Sequence, residues 1–444
     1  MVSIVLSTYN RANTLKMAID SILSQTYTDF ELILVDDGST DYTKELLKEY
    51  TDKRIRFFFL EKNQFYCMAA NYGLEQIQGE YVAFATSDDV WEEDKLELQM
   101  NYLKERKECG ACFTYSDVID ENGENAKEQF DMLSGLLMKK FYTQKEWVQQ
   151  FIFEGNCLSH PSAVVRKDVL DRVGNFNLLY CQSADMDLWL RIVRYYPIHV
   201  IDKQLVHYRC YKNPQNQISG ADELKAARFL NEHMIIRRKF IEDLSDEEMI
   251  KFFGDCFQNK DASSHLELEI EKAFLLLHCV KGLPDFHILG IEKFEELLRN
   301  QEVVSILKEK YHVKLQDIYE WNLGHFYMDF GIHVRLAEQD RQILILREQL
   351  RKEKEYTKGL QRLRSELQEN LQQTKRQIEE QKEELESRKK YIEEIKEKAI
   401  ETELRLGVTE KALREEKEEH KNTSLLLEEA LLGKLKLEEE RKKR

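Results

Sequence analysis

Short apolar runs alternate with amphipathic stretches along the first 90 residues of the chain. The apolar runs predict strands at residues 2–7, 30–35, 55–60 and 81–85. Between them, apolar residues recur at helical spacing and predict helices at residues 13–25, 41–50 and 68–77. Strands that alternate with helices of this length indicate βαβ units, so we predict an α/β fold with a Rossmann-like sheet flanked by helices. In such sheets a ligand binds beyond the carboxyl ends of the strands.

The rest of the chain is predicted to be helical. Residues 226–241, 267–280, 288–298 and 303–311 carry apolar helical faces, and no catalytic constellation is visible among them. Further on, apolar residues recur at every seventh position: Leu371, Ile378, Leu385, Ile392, Ala399, Leu406 and Leu413. This interval is typical of a coiled coil, although the positions three residues later are mostly polar. We predict an α/β domain at 1–219, a helical extension at 220–334 and a homo-oligomeric coiled coil at 335–444. A solvated single helix held by Glu–Lys pairs is the alternative for the last segment.

The charge of the chain is unevenly distributed. The formal net charge is −16, yet residues 335–444 hold 28 basic and 27 acidic residues, so the acidity belongs to the front part. An acidic front part argues against a nucleic-acid partner, because such binders carry a basic footprint. We expect a cytoplasmic protein, since we find no secretion signal and no apolar run near the roughly 20 residues that span a bilayer. The basic C-terminal stretch 434–444 is a candidate contact with the inner face of the membrane, and a solvated basic end is the alternative.

The eight cysteines are expected to be reduced in that compartment. Cys109 and Cys112 form one CxxC motif, but a zinc ribbon needs a second pair, which the sequence lacks. Buried structural thiols are therefore favoured over a redox or metal role.

Polar clusters follow three of the four predicted strands. They lie at residues 7–10, 35–39 and 85–89, and all three should meet at one edge of the sheet. Any one cluster could be turn or helix-cap chemistry, but three successive clusters favour a site. The adjacent Asp88 and Asp89 repel each other unless a positive charge lies nearby, and their hard oxygens suit Mg²⁺ or Mn²⁺.

These segments resemble the inverting glycosyltransferases of family 2, which have the GT-A fold. The resemblance therefore implies a Rossmann-like mixed sheet flanked by helices. The resemblance covers about residues 1–219 and rests on five motifs: VSIVLSTYN at 2–10, SQTYTDFE at 24–31, VDDGS at 35–39, GEYVAF at 79–84 leading to Asp88 and Asp89, and ADMDLWLR at 184–191. It implies a nucleotide-sugar donor and an acceptor that is a carbohydrate, a lipid-linked sugar or a protein.

The resemblance also implies roles for single residues. Thr8 and Tyr9 would contact the nucleotide, with Tyr9 stacked on the base. Asp37 would accept the ring N–H of the base, which suits uracil and favours UDP. Asp88 would hold the ribose and Asp89 the metal, Mn²⁺ or Mg²⁺. Asp185 would be the general base, with a helix-capping Asp as the alternative, and the resemblance makes Asp187, Trp189 and Arg191 its supports.

The sequence departs from the family pattern at two positions. Thr86 stands where an acidic residue is usual, two residues before Asp88. Tyr211 stands where many members carry a metal-binding His, so His207 just upstream is a substitute candidate, although a strand neighbour can point to the other face. His160 lies in a segment that resembles the one near the acceptor, and Lys203 and Arg209 could meet the diphosphate or lie at the surface.

We therefore predict a glycosyltransferase of the hexosyl or N-acetylhexosaminyl class, and the resemblance implies bacterial surface polysaccharide or glycoconjugate synthesis. A sugar nucleotidyltransferase would need a Gly-rich phosphate loop after the first strand, and residues 7–13 contain no Gly. The remaining alternative is a weak or inactive transferase-like head on a coiled-coil scaffold. The intact set of Asp37, Asp88, Asp89 and Asp185 argues against it.

Overall fold

The computed structural model of the chain describes residues 1–212, 223–279, 287–322, 339, 341–351 and 371–406. The chain divides into two compact units, Met1–Gln339 and Asp340–Arg444. Both predicted domain boundaries, after residues 219 and 334, fall outside the described residues and stay predictions.

A mixed sheet of eight strands runs through the described part of the first unit. In chain order the strands are β1 Val2–Thr8, β2 Phe30–Asp36, β3 Ile55–Phe59, β4 Tyr81–Ala85, β5 Val90–Trp91, β6 Ala111–Ile119, β7 Val164–Arg166 and β8 Ile198–Arg209. Across the sheet the order is β3-β2-β1-β4-β7-β6-β8-β5. The first four strands form a parallel block, and β6 is parallel to β8. Strand β7 is antiparallel to β4 and β6, and β5 is antiparallel to β8. The predicted α/β sheet and its four predicted strands are confirmed.

Helices flank the sheet and then continue into the extension. The first eight are α1 Ala12–Leu23, α2 Thr43–Leu47, α3 Tyr66–Glu75, α4 Lys95–Glu105, α5 Asp131–Leu136, α6 Gln144–Gln149, α7 Lys167–Val173 and α8 Ala184–Tyr195. The extension adds α9 Glu223–Glu242, α10 Asp246–Phe253, α11 His265–His278, α12 His287–Leu297, α13 Gln301–Lys310 and α14 Leu315–Trp321. Each helix predicted from apolar spacing is confirmed. The helices α6 and α10, which the spacing did not predict, and the predicted α11 each begin at a capping box in which a Ser or Thr and a Glu satisfy each other's backbone N–H groups.

Alternate residues of the strands belong to two apolar layers, one on each face of the sheet. One layer contains Ile19 and Leu34. The other contains Phe113 and Trp189, and Phe252 of α10 belongs to it as well. The helical extension thus shares a core with the α/β part, because its helices cover one face of the sheet.

The second unit contains the helix α15, Leu371–Leu406, and residues 341–351 are helical too. Its apolar residues Ile392 and Ile395 are exposed, at 42% and 50%. The coiled coil stays a prediction, and Leu413 and the basic stretch 434–444 lie outside the described residues. Among the helices described in either unit, none is both long and apolar enough to cross a membrane.

Candidate active site

The carboxyl ends of β1, β2 and β4 bring three polar segments to one edge of the sheet. The register of β1 and β2 sets Thr8 beside Asp36, and the Asp37 N–H donates to the Thr8 carbonyl oxygen at 2.8 Å. On the other side of β1, strand β4 ends at Ala85, one residue before Thr86. The predicted gathering of the polar clusters at this edge is confirmed.

The residues assigned to the nucleotide differ in their exposure. The Tyr9 side chain is 39% exposed, so an aromatic face is open to a ligand. Thr8 is buried, and its Oγ1 has no hydrogen-bond partner within the described residues. The Asp37 carboxylate is also buried, which raises its pKa, and it accepts the Gln64 N–H at 2.8 Å. A buried hydroxyl without a partner is a group that a ligand can satisfy.

The turn that presents Asp37 requires glycine. Gly38 has φ +72°, and a Cβ there would lie 2.6 Å from the backbone of Lys62. The side-chain oxygen of Asn10, after β1, accepts the Thr40 N–H at 2.8 Å and so joins the first two polar segments. The close approach and the left-handed backbone both exclude a side chain at this position.

Asp88 and Asp89 form a carboxylate pair at the end of the third segment. Asp89 is 4% exposed and accepts the Arg209 N–H at 2.7 Å and the Thr86 hydroxyl. The Tyr211 hydroxyl donates to Asp88 at 3.3 Å. Both positions at which the sequence departs from the family pattern, Thr86 and Tyr211, therefore contact the carboxylate pair directly.

The electrostatics of this pair fit a divalent cation. Burial and the charge of Asp88 raise the pKa of Asp89 to about 8, and burial raises the pKa of Asp88. The Arg11 guanidinium lies 3.9 Å from Asp88. Adjacent buried carboxylates are stabilised by a nearby cation, and oxygen donors suit Mg²⁺ or Mn²⁺. In the described part of the chain no three His, Cys, Asp or Glu side chains are grouped to hold a metal by themselves, so the pair fits a cation that substrate oxygens and water also coordinate.

His207 contacts two carboxylates. Its Nδ1 lies 2.7 Å from Asp117 and its Nε2 lies 2.8 Å from Glu92. The hydrogen bond with Asp117 is the largest cause of the raised pKa of His207. A neutral ring nitrogen is needed to bind a metal, so a ligand role would require His207 to release one carboxylate. That role stays a prediction.

Arg209 organises the site in a way that its sequence context did not show. Its side chain is 1% exposed, so the surface alternative is wrong for this residue. The guanidinium donates to the carbonyl oxygens of Asp88 at 2.7 Å, Asp120 at 2.8 Å and Glu121 at 3.1 Å. Arg209 thus fixes the backbone of the carboxylate pair from β8. Lys203, by contrast, is exposed.

Asp185 lies in the first turn of α8, where two donors orient its carboxylate. The Asn156 side-chain amide donates to one oxygen at 2.9 Å, and the Met186 N–H donates to the other at 2.7 Å. Burial raises the pKa of Asp185 to about 6. A carboxylate with its pKa near neutrality, held in one orientation, is what a general base needs. On the same helix, Asp187 pairs with Arg191 at 2.8 Å.

His160 is surrounded by aromatic rings. Its Nε2 lies 2.5 Å from the Tyr66 hydroxyl, and its Nδ1 has no hydrogen-bond partner in the described structure. Burial lowers the pKa of His160 to about 3, so the ring is neutral at physiological pH. Trp189 stacks on His160 with ring centroids 6.1 Å apart and is itself fully buried.

The CxxC cysteines belong to the core. Cys109 and Cys112 are both free and buried, and burial raises the pKa of each thiol. A buried thiol with a raised pKa is a poor nucleophile and a poor metal ligand. The preferred interpretation, buried structural cysteines, is confirmed.

Comparison with known proteins identifies the class of this chain. The sequence profile described as "Glycosyl transferase family 2" matches residues 3–174, a span that includes the first three polar segments but not Asp185. The O-antigen biosynthesis glycosyltransferase WbnJ of Escherichia coli is 30% identical over 255 residues, which cover 55% of this chain and 93% of WbnJ. The chain belongs to glycosyltransferase family 2 and has the GT-A fold of that family.

Two further proteins are similar to this chain, one in sequence and one in structure. An uncharacterized glycosyltransferase of Rickettsia conorii is 32% identical over 263 residues, covering 58% of this chain and 41% of the relative. The chain therefore spans about two fifths of the length of that relative. Among solved structures, S. aureus TarS 1–349 in complex with UDP is similar with a TM-score of 0.45 at 17% identity, covering 69% of this chain and 91% of the TarS chain.

Proposed function

We propose that the chain is an inverting, metal-dependent glycosyltransferase that moves a hexosyl or N-acetylhexosaminyl group from a UDP-sugar to an acceptor hydroxyl. The observation that carries the proposal is Asp185, an oriented carboxylate with a pKa of about 6 in a family 2 transferase. A general base in this state is deprotonated at neutral pH and can still accept a proton.

The reaction assigns one task to each polar segment. Tyr9 stacks on uracil, Asp37 accepts its imide N–H, and Asp88 binds the ribose hydroxyls. Asp89 holds Mn²⁺ or Mg²⁺, which supplies Lewis-acid stabilisation of the charge on the departing diphosphate. Asp185 accepts the proton of the acceptor hydroxyl while that oxygen bonds to the anomeric carbon and the bond to the diphosphate breaks. In-line displacement inverts the anomeric configuration, and UDP leaves.

Relatives support the place of this reaction in polysaccharide synthesis. WbnJ is named for O-antigen biosynthesis, and a partial match is named for teichuronic acid biosynthesis in Bacillus subtilis. We propose a surface polysaccharide or glycoconjugate as the product.

A donor-hydrolysis assay tests the proposal. The chain is incubated with a panel of UDP-sugars with and without Mn²⁺ or Mg²⁺, and released UDP is measured. We expect metal-dependent UDP release that Asp89→Asn reduces to background, because the substitution removes a charge that the metal needs. Asp94→Asn, which removes an exposed carboxylate five residues away, should leave the rate unchanged. A wild-type chain that releases UDP from no donor under any metal condition favours the inactive-head alternative.

A further inference from the structure

Glu232, on α9 of the helical extension, accepts hydrogen bonds from three consecutive backbone N–H groups. The donors are Cys181 at 2.7 Å, Gln182 at 2.9 Å and Ser183 at 2.8 Å. The Glu232 side chain is 4% exposed, so these contacts are shielded from water. Hydrogen bonds to a charged acceptor are stronger than neutral ones, and a buried carboxylate depends on them.

The three donors form the segment that leads into α8. Ser183 immediately precedes the helix, and its own hydroxyl makes no capping bond. This differs from α6, α10 and α11, each of which is capped by a local side chain. The start of α8, where Asp185 lies, is therefore fixed by a residue about 50 positions later in the chain rather than by a local cap.

Two further hydrogen bonds connect α9 to the segments around Asp185. Arg228 donates to the Gln182 side chain at 2.9 Å, and the buried Arg237 donates to the Ile152 carbonyl oxygen at 2.7 Å. Ile152 lies four residues before Asn156, the side chain that orients the Asp185 carboxylate. Helix α9 thus contacts both segments that hold Asp185, the one before α8 and the one before β7.

We propose that Glu232 is a positioning residue for the base Asp185: it fixes the backbone at the start of α8 and places a second negative charge beside the base. This inference rests on the proposed function, in which Asp185 deprotonates the acceptor. Burial is the largest cause of the raised pKa of Asp185, and the charge of Glu232 raises it further. The helical extension then contributes to catalysis by fixing the position of the base.

Asp185 has titratable and charged neighbours on three helices. Its titratable and charged neighbours are Tyr66 and Cys67 from α3, Glu232 from α9, and the Asp187–Arg191 pair on its own helix. The pair is neutral as a whole, so Glu232 is the neighbour whose charge a substitution can remove without exposing a partner ion.

The test compares Glu232→Gln with Glu271→Gln in the full chain. Glu271 is a matched control, because it is also a buried carboxylate of the extension and accepts two backbone N–H groups, those of Gln258 and Asn259 at 2.8 Å each. The first measurement is hydrogen exchange of the amides at residues 181–183. We expect exchange there to be at least about tenfold faster in Glu232→Gln and unchanged in Glu271→Gln, because hydrogen bonds to a charged acceptor are lost.

The second measurement is the pH profile of kcat. We expect kcat of Glu232→Gln to fall about 10- to 100-fold, since small misplacements of a catalytic group cost that much, with KM for the donor unchanged. The acid limb should move to lower pH, because removal of the neighbouring negative charge favours ionised Asp185. Glu232→Asp keeps the charge on a shorter side chain. In this variant the amides of residues 181–183 should exchange faster, while the acid limb of the kcat profile stays at the wild-type pH. If Glu232→Gln does not fold, the exchange measurement on Glu232→Asp tests the positioning role.

The outcomes separate this inference from the proposed function. Unchanged exchange and an unchanged profile in Glu232→Gln overturn the positioning role even if the enzyme is active. A wild-type chain without activity overturns the proposed function, and the exchange result then still decides whether Glu232 fixes the start of α8.

Discussion

At the scale of single residues, burial sets the ionisation of the site. It is the largest cause of the raised pKa of Asp37, Asp89 and Asp185, three of the candidate site carboxyls. In the extension, by contrast, the hydrogen bond from Lys310 is the largest cause that lowers the pKa of Glu267 to about 2. In the candidate site, hydrogen bonds within the protein thus offset only part of the effect of burial on the pKa. This is expected of carboxyls that bind a cation, a nucleobase or a proton from substrate.

The pKa of Asp185 predicts the pH dependence of transfer. A general base works in its ionised form, and a pKa of about 6 leaves Asp185 protonated below that pH and ionised above it. We expect kcat to rise about tenfold per pH unit below pH 6 and to level off above about pH 7. Asp185→Asn should lower kcat by about 10²–10⁴-fold and abolish this limb, while UDP binding measured by titration is retained. A limb that persists in Asp185→Asn would assign the titration to another group.

The sequence could identify site residues where local order carries the signal. Asp37, Asp88 and Asp89 lie just after predicted strands, so the strand ends marked them as candidates. Asp185 became a candidate through the resemblance of residues 184–191 to a family motif. Glu232 could not be found this way, because it acts on backbone N–H groups about 50 residues away, and no local pattern marks such a contact. The sequence named Arg209 as a candidate, but it could not show the structural role of this residue, since its acceptors are backbone carbonyl oxygens on other segments.

At the scale of elements, the parallel block was predictable and the antiparallel part was not. Strands β1 to β4 are runs of five to seven residues that alternate with periodic helices. Strand β5 has two residues and β7 has three, which is too short for an alternating or continuous apolar pattern to emerge. Their pairing depends on β8 and β6, which lie far along the chain, so topology rather than local preference decides it.

The turn between β2 and α2 gives a prediction at this scale. Gly38→Ala should lower the free energy of unfolding by about 1–2 kcal/mol from the left-handed backbone alone, with a further loss from the close approach of Lys62. It should also weaken UDP binding, because the same turn presents Asp37. Chemical denaturation and UDP titration measure the two effects.

Gly135→Ala is the control for that substitution. Gly135 lies in α5, and a Cβ there would meet nothing within 4 Å. Its replacement should leave UDP binding unchanged and stabilise the chain by up to about 1 kcal/mol, because Ala is the better helix former. Equal losses in both variants would show that the turn at Gly38 has no special requirement.

At the scale of the whole molecule, the helical extension is part of the transferase rather than an appendage. Phe252 shares a core with Trp189, and Arg194 of α8 pairs with Glu248 of α10 at 2.6 Å. Glu232 adds a contact with the segment that leads to Asp185. The sequence predicted a helical extension, but it could not show that the extension contacts α8, because the groups that meet there lie about 50 residues apart in the chain.

The second unit carries the last prediction, the oligomeric state of the full chain. Helix α15 is rich in charge and leaves Ile392 42% exposed, at a position of the seven-residue apolar repeat. An exposed apolar stripe on a long helix is stabilised by a second copy, which buries it. We expect the double substitution Leu385→Ser with Ile392→Ser to lower the mass measured by light scattering to that of a monomer. The matched double substitution Glu386→Ser with Glu393→Ser, one position along the helix, should leave the oligomer intact. A wild-type chain that is monomeric at all concentrations would identify α15 as a solvated single helix held by its Glu–Lys and Glu–Arg pairs.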